Sequence, residues 1–101
     1  MTDSFGNGTE AAFSVDAAQV LLDEVTAPWV RELGLRVVEI GPTRSRFFLP
    51  FGDALTRDAG MICGQAIVAA ADTAMIAAVT AAIGSYAPIT TVDIASRFLR
   101  P

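Results

Sequence analysis

The chain has no histidine, no lysine and a single cysteine, Cys63. Each absence closes a class of chemistry. Without histidine there is no Ser-His-Asp or Cys-His nucleophile and no imidazole general base. Nearly all zinc and iron sites go with it, since one thiol cannot hold them. A lone cysteine makes no intramolecular disulfide, so the fold does not depend on oxidation. Charge is scarce as well. Only 18% of the residues are charged, with 11 acids against 7 bases, and every base is arginine, for a formal net charge of −4. That balance argues against nucleic acid, whose phosphates demand a basic face. Catalysis is left to carboxylates, hydroxyls, arginines, the thiol or backbone N–H groups.

What is abundant is apolar. Of the 101 residues, 52% are hydrophobic, which fits one small domain with a core rather than a disordered segment. Residues 1–10 are polar and acidic, and the first base is Arg31. No secretory or transit signal is read there, and a cytoplasmic location is expected. Residues 61–83 form an apolar run long enough to span a bilayer. Half of residues 66–83 are alanine, however, and Asp72 stands in the middle. A carboxylate there costs about 2.5–3.5 kcal/mol on an insertion scale. The run reads as a long helix covered by a sheet, its small residues allowing close approach, with no membrane partner.

The rest of the chain divides around that helix. Residues 1–13 show no apolar period and read as a flexible tail, leaving 14–101 as the domain. Ser14 is a predicted N-cap for a helix to about Val25, with Asp16 in its first turn. Val20, Leu21 and Val25, with Ala17 or Ala18, give its apolar face. Pro28 interrupts it, and a short turn through Leu33 ends at Gly34. Residues 35–40 and 44–49, joined by Gly41-Pro42-Thr43, predict a β-hairpin. The long helix is predicted from about 62–64 to near Gly84. Residues 90–99 alternate Val92, Ile94, Ser96 and Phe98 with Thr91, Asp93, Ala95 and Arg97, predicting a third strand. Three strands leave much of the helix bare, so more sheet or a partner chain is expected to cover it.

Several phrases together carry a resemblance. They are Leu33-Gly34-Leu35-Arg36-Val37-Val38-Glu39-Ile40, Gly60-Met61-Ile62-Cys63-Gly64-Gln65, Ala71-Asp72-Thr73-Ala74-Met75, Thr91-Val92-Asp93 and Phe98-Leu99-Arg100-Pro101. In this order and spacing the chain resembles hotdog-fold acyl-CoA thioesterases, in the branch typified by the phenylacetic-acid-degradation thioesterase. The resemblance implies an α+β fold in which an antiparallel sheet wraps a long central helix. The family's last strands would follow Pro101, so the sequence looks C-terminally truncated. It implies Asp72 as the catalytic carboxylate, Gly64 as the backbone N–H that polarises the thioester carbonyl, and Thr91 beside them. Arg57, Cys63 and Gln65 stand where many members carry Asn, His and Gly, and are taken as substrate-binding positions. No cofactor is implied beyond the coenzyme A of the substrate.

The chemistry of these residues is coherent. Aspartate activates water or attacks the carbonyl itself. A helix N-terminus offers unpaired N–H groups and a partial positive charge to an oxyanion. Gly64 and Asp72 are eight residues apart, about 12 Å along one helix at about 1.5 Å per residue. One carbonyl cannot reach both. Two helices antiparallel across a two-fold axis bring Gly64 of one chain to Asp72 of the other, so a homodimer or tetramer with shared sites is expected. Two other classes stand beside this one. A non-catalytic acyl-binding or assembly module of the same fold needs neither role, and a hotdog dehydratase is disfavoured because that chemistry relies on histidine.

Overall fold

The computed structural model describes residues 13–100; residues 1–12, most of the stretch read as a tail, and Pro101 lie outside it. Helix α1 runs Val15–Val25. Its N-cap is Ser14, whose Oγ accepts the Ala17 N–H at 3.0 Å. Phe13, the last residue of the expected tail, packs against the core cluster that contains Ala18. It sits one residue before the cap and Ala18 four after it, which is the spacing of a hydrophobic staple. At the other end Thr26 donates both its N–H and its Oγ1 to the Leu22 carbonyl.

The buried residues of α1 are Ala18, Leu21 and Leu22, whereas Val20 is 54% exposed. The apolar face is thus rotated from the expected one. Val20 lies about 200° around the helix from Ala18 and cannot share its side.

A short helix α2, Pro28–Arg31, starts on its proline, where the missing N–H costs nothing. Gly34 follows with φ +75, and a Cβ there would meet Pro50 at 3.3 Å. Strands β1 (Arg36–Glu39) and β2 (Arg46–Phe48) then pair antiparallel, so the hairpin forms as the sequence predicts. The register jumps between Val37 and Glu39, a bulge that brings Glu39 opposite Arg46. Their ion pair is 3.1 Å, and Arg36 lies 5.2 Å above the Phe48 ring. These charges form the solvent face, while Val37 and Phe47 turn to the core. The Gln19 side chain clamps β1 to α1: it donates to the Leu35 carbonyl at 3.2 Å and accepts the Val37 N–H at 2.9 Å. One amide therefore satisfies backbone groups along the strand edge that faces α1.

Between the sheet and the long helix the chain makes a tight reversal. Thr56 and Ile62 form an isolated bridge, the Arg57 N–H donates to the Met61 carbonyl at 2.7 Å, and the Cys63 N–H to that of Leu55 at 2.7 Å. The reversal turns on Ala59 (φ 62) and Gly60 (φ 72), two consecutive left-handed residues.

Helix α3 runs Gly64–Ile83 and closes on Gly84 in the left-handed conformation, φ 90. It buries Ala66, Thr73, Ala77 and Thr80, with Ala70 packed against the core. That stripe of small residues repeats every three or four positions and lets α1 approach closely. Ala18 and Ala77 are both fully buried in the same cluster. By length and composition α3 is apolar enough to cross a membrane, with a mean hydropathy of 2.0, and 28% of its 18-residue window is buried.

The third strand does not form. Among the described residues, those from 85 to 100 take no regular secondary structure and make no backbone–backbone hydrogen bond. Alternation selects a strand only where a neighbouring edge pairs its N–H and C=O groups. The sheet is therefore two-stranded, and the expected wrapping of α3 is limited to β1 and β2. The architecture is α+β, a two-stranded antiparallel sheet and α1 packed on one side of a long helix.

Candidate active site

The stripe that faces the core fixes where Asp72 stands. Asp72 precedes Thr73 and so lies about 100° around α3 from the buried line, at its flank. The segment after α3 returns along that flank. Thr91 Oγ1 donates a hydrogen bond to Asp72 Oδ1, joining the segment to the middle of the helix. Asp72 is half-buried, and its partner Thr91 is exposed. A hydroxyl donor at this point orients the carboxylate and leaves Oδ2 for another group.

Seven residues further on, the Phe98 ring stands over the start of α3. A Cβ placed on Gly64 would lie 3.4 Å from that ring. Cys63 is the N-cap, and its side chain makes no capping hydrogen bond. Among the described residues the Gly64 and Gln65 N–H groups find no acceptor, as the first turn of a helix leaves them. These donors and the positive end of the helix dipole point out of the same end.

Between the segment and the helix lies an open groove of ≈ 1070 Å³. Asp72, Thr91, Gly64, Gln65 and Arg57 all line it. Its walls are apolar, made by Ile62, Ile67, Val68, Ile94 and Phe98. Arg57 reaches it from the reversal described above and also pairs with Asp58 at 2.8 Å. Cys63 is the exception among the candidates. It lines a separate pocket of ≈ 320 Å³ with Trp29, Leu33 and Leu55, which Gln65 also borders. Cys63 is the extended residue that leads into α3, and its pocket lies on the side toward α2. Beyond Asp72 a third hollow of ≈ 470 Å³ continues past Met75 and Ile89, so the Asp72–Thr91 bridge divides two cavities.

The chain was compared with known proteins. No family model, curated protein or solved structure matches it. The site is read from its own residues. Among the described residues no group of three or more His, Cys, Asp or Glu gathers as a metal-binding cluster.

Phe98 and Arg100 also line the groove, without a site role expected from the sequence. Both belong to the closing Phe98-Leu99-Arg100-Pro101 phrase. Placed on a strand, Phe98 shares the apolar face of Val92 and Ile94, which reads as core. Only the return of the segment along α3 shows it at the helix start.

Proposed function

We propose that the chain is a hotdog-fold thioester hydrolase acting on a small or medium acyl-CoA. The observation that carries this reading is the groove that brings Asp72, bound by Thr91, and the uncapped Gly64 end of α3 to one apolar wall. The acyl group lies along the apolar wall. Arg57 and Arg100 offer positive charge to the phosphates of the carrier.

In this mechanism the Asp72 carboxylate takes a proton from water as its oxygen attacks the thioester carbon. The carbonyl electrons move onto oxygen, where the Gly64 N–H donates to the oxyanion. Collapse breaks the C–S bond and releases coenzyme A as thiolate, which takes up a proton, and the free carboxylic acid. Direct attack by Asp72, giving an anhydride that water then opens, uses the same groups. The distance of about 12 Å along the helix between Gly64 and Asp72 favours a homodimer, in which each site takes the two groups from different chains. Met75, 52% exposed on the side of α3 opposite the core, belongs to the apolar surface such a dimer covers. The same reading expects a cytoplasmic protein.

The test is hydrolysis of acetyl-, butyryl- and hexanoyl-CoA, followed by thiol release, with wild type and Asp72→Asn. Turnover by the wild type and its loss by about 100-fold or more in the variant is the expected result. Wild-type binding without turnover supports instead a non-catalytic acyl-binding module, which the intrachain separation of Gly64 and Asp72 favours. Equal turnover by both proteins removes Asp72 from the reaction.

A further inference from the structure

The segment 85–100 touches α3 at two defined places. Thr91 holds Asp72 in the middle of the helix, and Phe98 covers Gly64 at its start. As the chain advances seven residues from the first to the second, it moves back eight along α3. The segment therefore runs antiparallel to the helix, over the groove. Seven residues can span at most about 23–25 Å, while the helical distance is about 12 Å. The segment is slack, and its side chains rather than a backbone ladder fix its path.

That makes Phe98 the residue standing where an acyl group must pass. The ring occupies the space on which the Gly64 Cα opens, at ordinary van der Waals distance from a Cβ position there. A ligand that enters the groove to bring its carbonyl to the Gly64 N–H shares the groove with this ring, since Gly64 and Phe98 line it together. The ring is 55% exposed, so no packed core on its far side holds it in place. Ile94, between Thr91 and Phe98 along the segment, lines the same groove and is 45% exposed.

We infer that Phe98 is the specificity-determining residue of the groove, setting the bulk of acyl group that reaches the start of α3. The inference rests on the acyl-thioester reading above. It adds a residue and a direction: a smaller side chain admits longer or branched acyl groups, and a larger one excludes them. One methylene in an apolar pocket is worth about 10–200-fold in discrimination, so a ring-sized change produces a measurable shift.

The experiment uses Phe98→Ala and Phe98→Trp in the full chain. Binding of non-hydrolysable acetyl, butyryl and hexanoyl thioethers of coenzyme A is measured by calorimetry, and turnover of the matching thioesters by thiol release. The hexanoyl-to-acetyl ratio of association constants is expected to rise about tenfold in Phe98→Ala and to fall in Phe98→Trp. Opposite shifts from the two Phe98 variants are what loss of structure cannot produce. Shifted binding ratios without turnover in any protein uphold the inference and overturn the hydrolase reading. Turnover with ratios unchanged within twofold in both Phe98 variants upholds the hydrolase and overturns the inference. Absence of thioether binding by the wild type overturns both.

Discussion

The two sides of α3 follow opposite rules. The side toward α1 and the sheet carries the small residues Ala66, Ala70, Thr73, Ala77 and Thr80, with Ile76 the larger residue that packs at its edge. The far side carries Met75, 52% exposed, with Ile67 (38%) and Ile83 (59%) on the two opposite flanks. A helix that only completed a core would place its large residues inward, where each buried Ile or Met contributes about 1.5–3 kcal/mol. Here small residues inside give close approach of backbones, and large ones outside form a surface that asks for cover. Asp72 stands at the border between the two. The inner side explains why the chain folds, and the outer side is where its chemistry and assembly are to be sought.

The sharpest way to break this contrast is one substitution on each side. Asp72→Asn keeps an acceptor for Thr91 and so leaves the fold in place, yet is expected to lower thioester turnover by about 100-fold or more. Ala77→Leu, on the fully buried inner line, is expected to cost about 1–3 kcal/mol of stability through overpacking. Thermal unfolding and a turnover assay on both proteins check the pair. If Asp72→Asn unfolds the chain and Ala77→Leu does not, the sides have been assigned the wrong way round.

A second test asks whether the outer side builds a site across two chains. Asp72→Asn and a Gly64 replacement are each expected to be inactive. In a mixed dimer one site holds intact Gly64 and intact Asp72, and the other carries both lesions. Equal mixing with free exchange makes about half of the dimers mixed, so about a quarter of wild-type activity returns. Mixtures that exchange subunits yet stay as inactive as their parents overturn the shared site, leaving a site within one chain built without Gly64 or no catalytic site.

The assembly itself gives a third test. Met75→Glu adds a charge to the outer side that an isologous interface places twice about one axis. Sedimentation is expected to show the wild type as a dimer at micromolar concentration and the variant as a folded monomer. An identical mass for both proteins, with equal stability, means that Met75 is not under the interface.

How far the sequence carries depends on whether a residue's partner is local. Ser14, Pro28, Gly34 and Gly84 each act within a turn or two, and their helix ends fall where the sequence puts them. The hairpin is legible for the same reason, its strands being only a turn apart. Residues 90–99 show the limit. Their alternation is as regular as that of the hairpin, but a strand needs an edge far away in sequence, and no described edge pairs with them. Gln19 marks the same limit from the other side. Nothing in its neighbourhood distinguishes it from any helix-surface glutamine, yet it holds β1 from both a carbonyl and an N–H. Of the candidate site, Asp72 was legible as a carboxylate inside an apolar run, and five of the six candidates line one groove. The place of Cys63 outside it, and of Phe98 within it, required the path of the chain in space.

The smallest expected effect lies where the outer side begins. Ala59 holds φ 62 and Gly60 φ 72, so the reversal that delivers Arg57 to the groove needs two left-handed residues in a row. Glycine takes that conformation freely, but alanine pays about 1–2 kcal/mol for the clash of its Cβ with the following carbonyl. Ala59→Gly removes that clash and returns part of the gain, because the unfolded glycine has more freedom to lose, about 0.5–1 kcal/mol. The Ala59 side chain is exposed, so no packing is lost. The net expectation is a gain of about 0.5–1 kcal/mol, read as a raised unfolding midpoint, with turnover unchanged because Arg57, Gly64 and Asp72 keep their places. A variant that is less stable than wild type would show that the left-handed turn is held at no cost to Ala59. A variant that is more stable but loses turnover would show that the strain at this turn positions the start of α3.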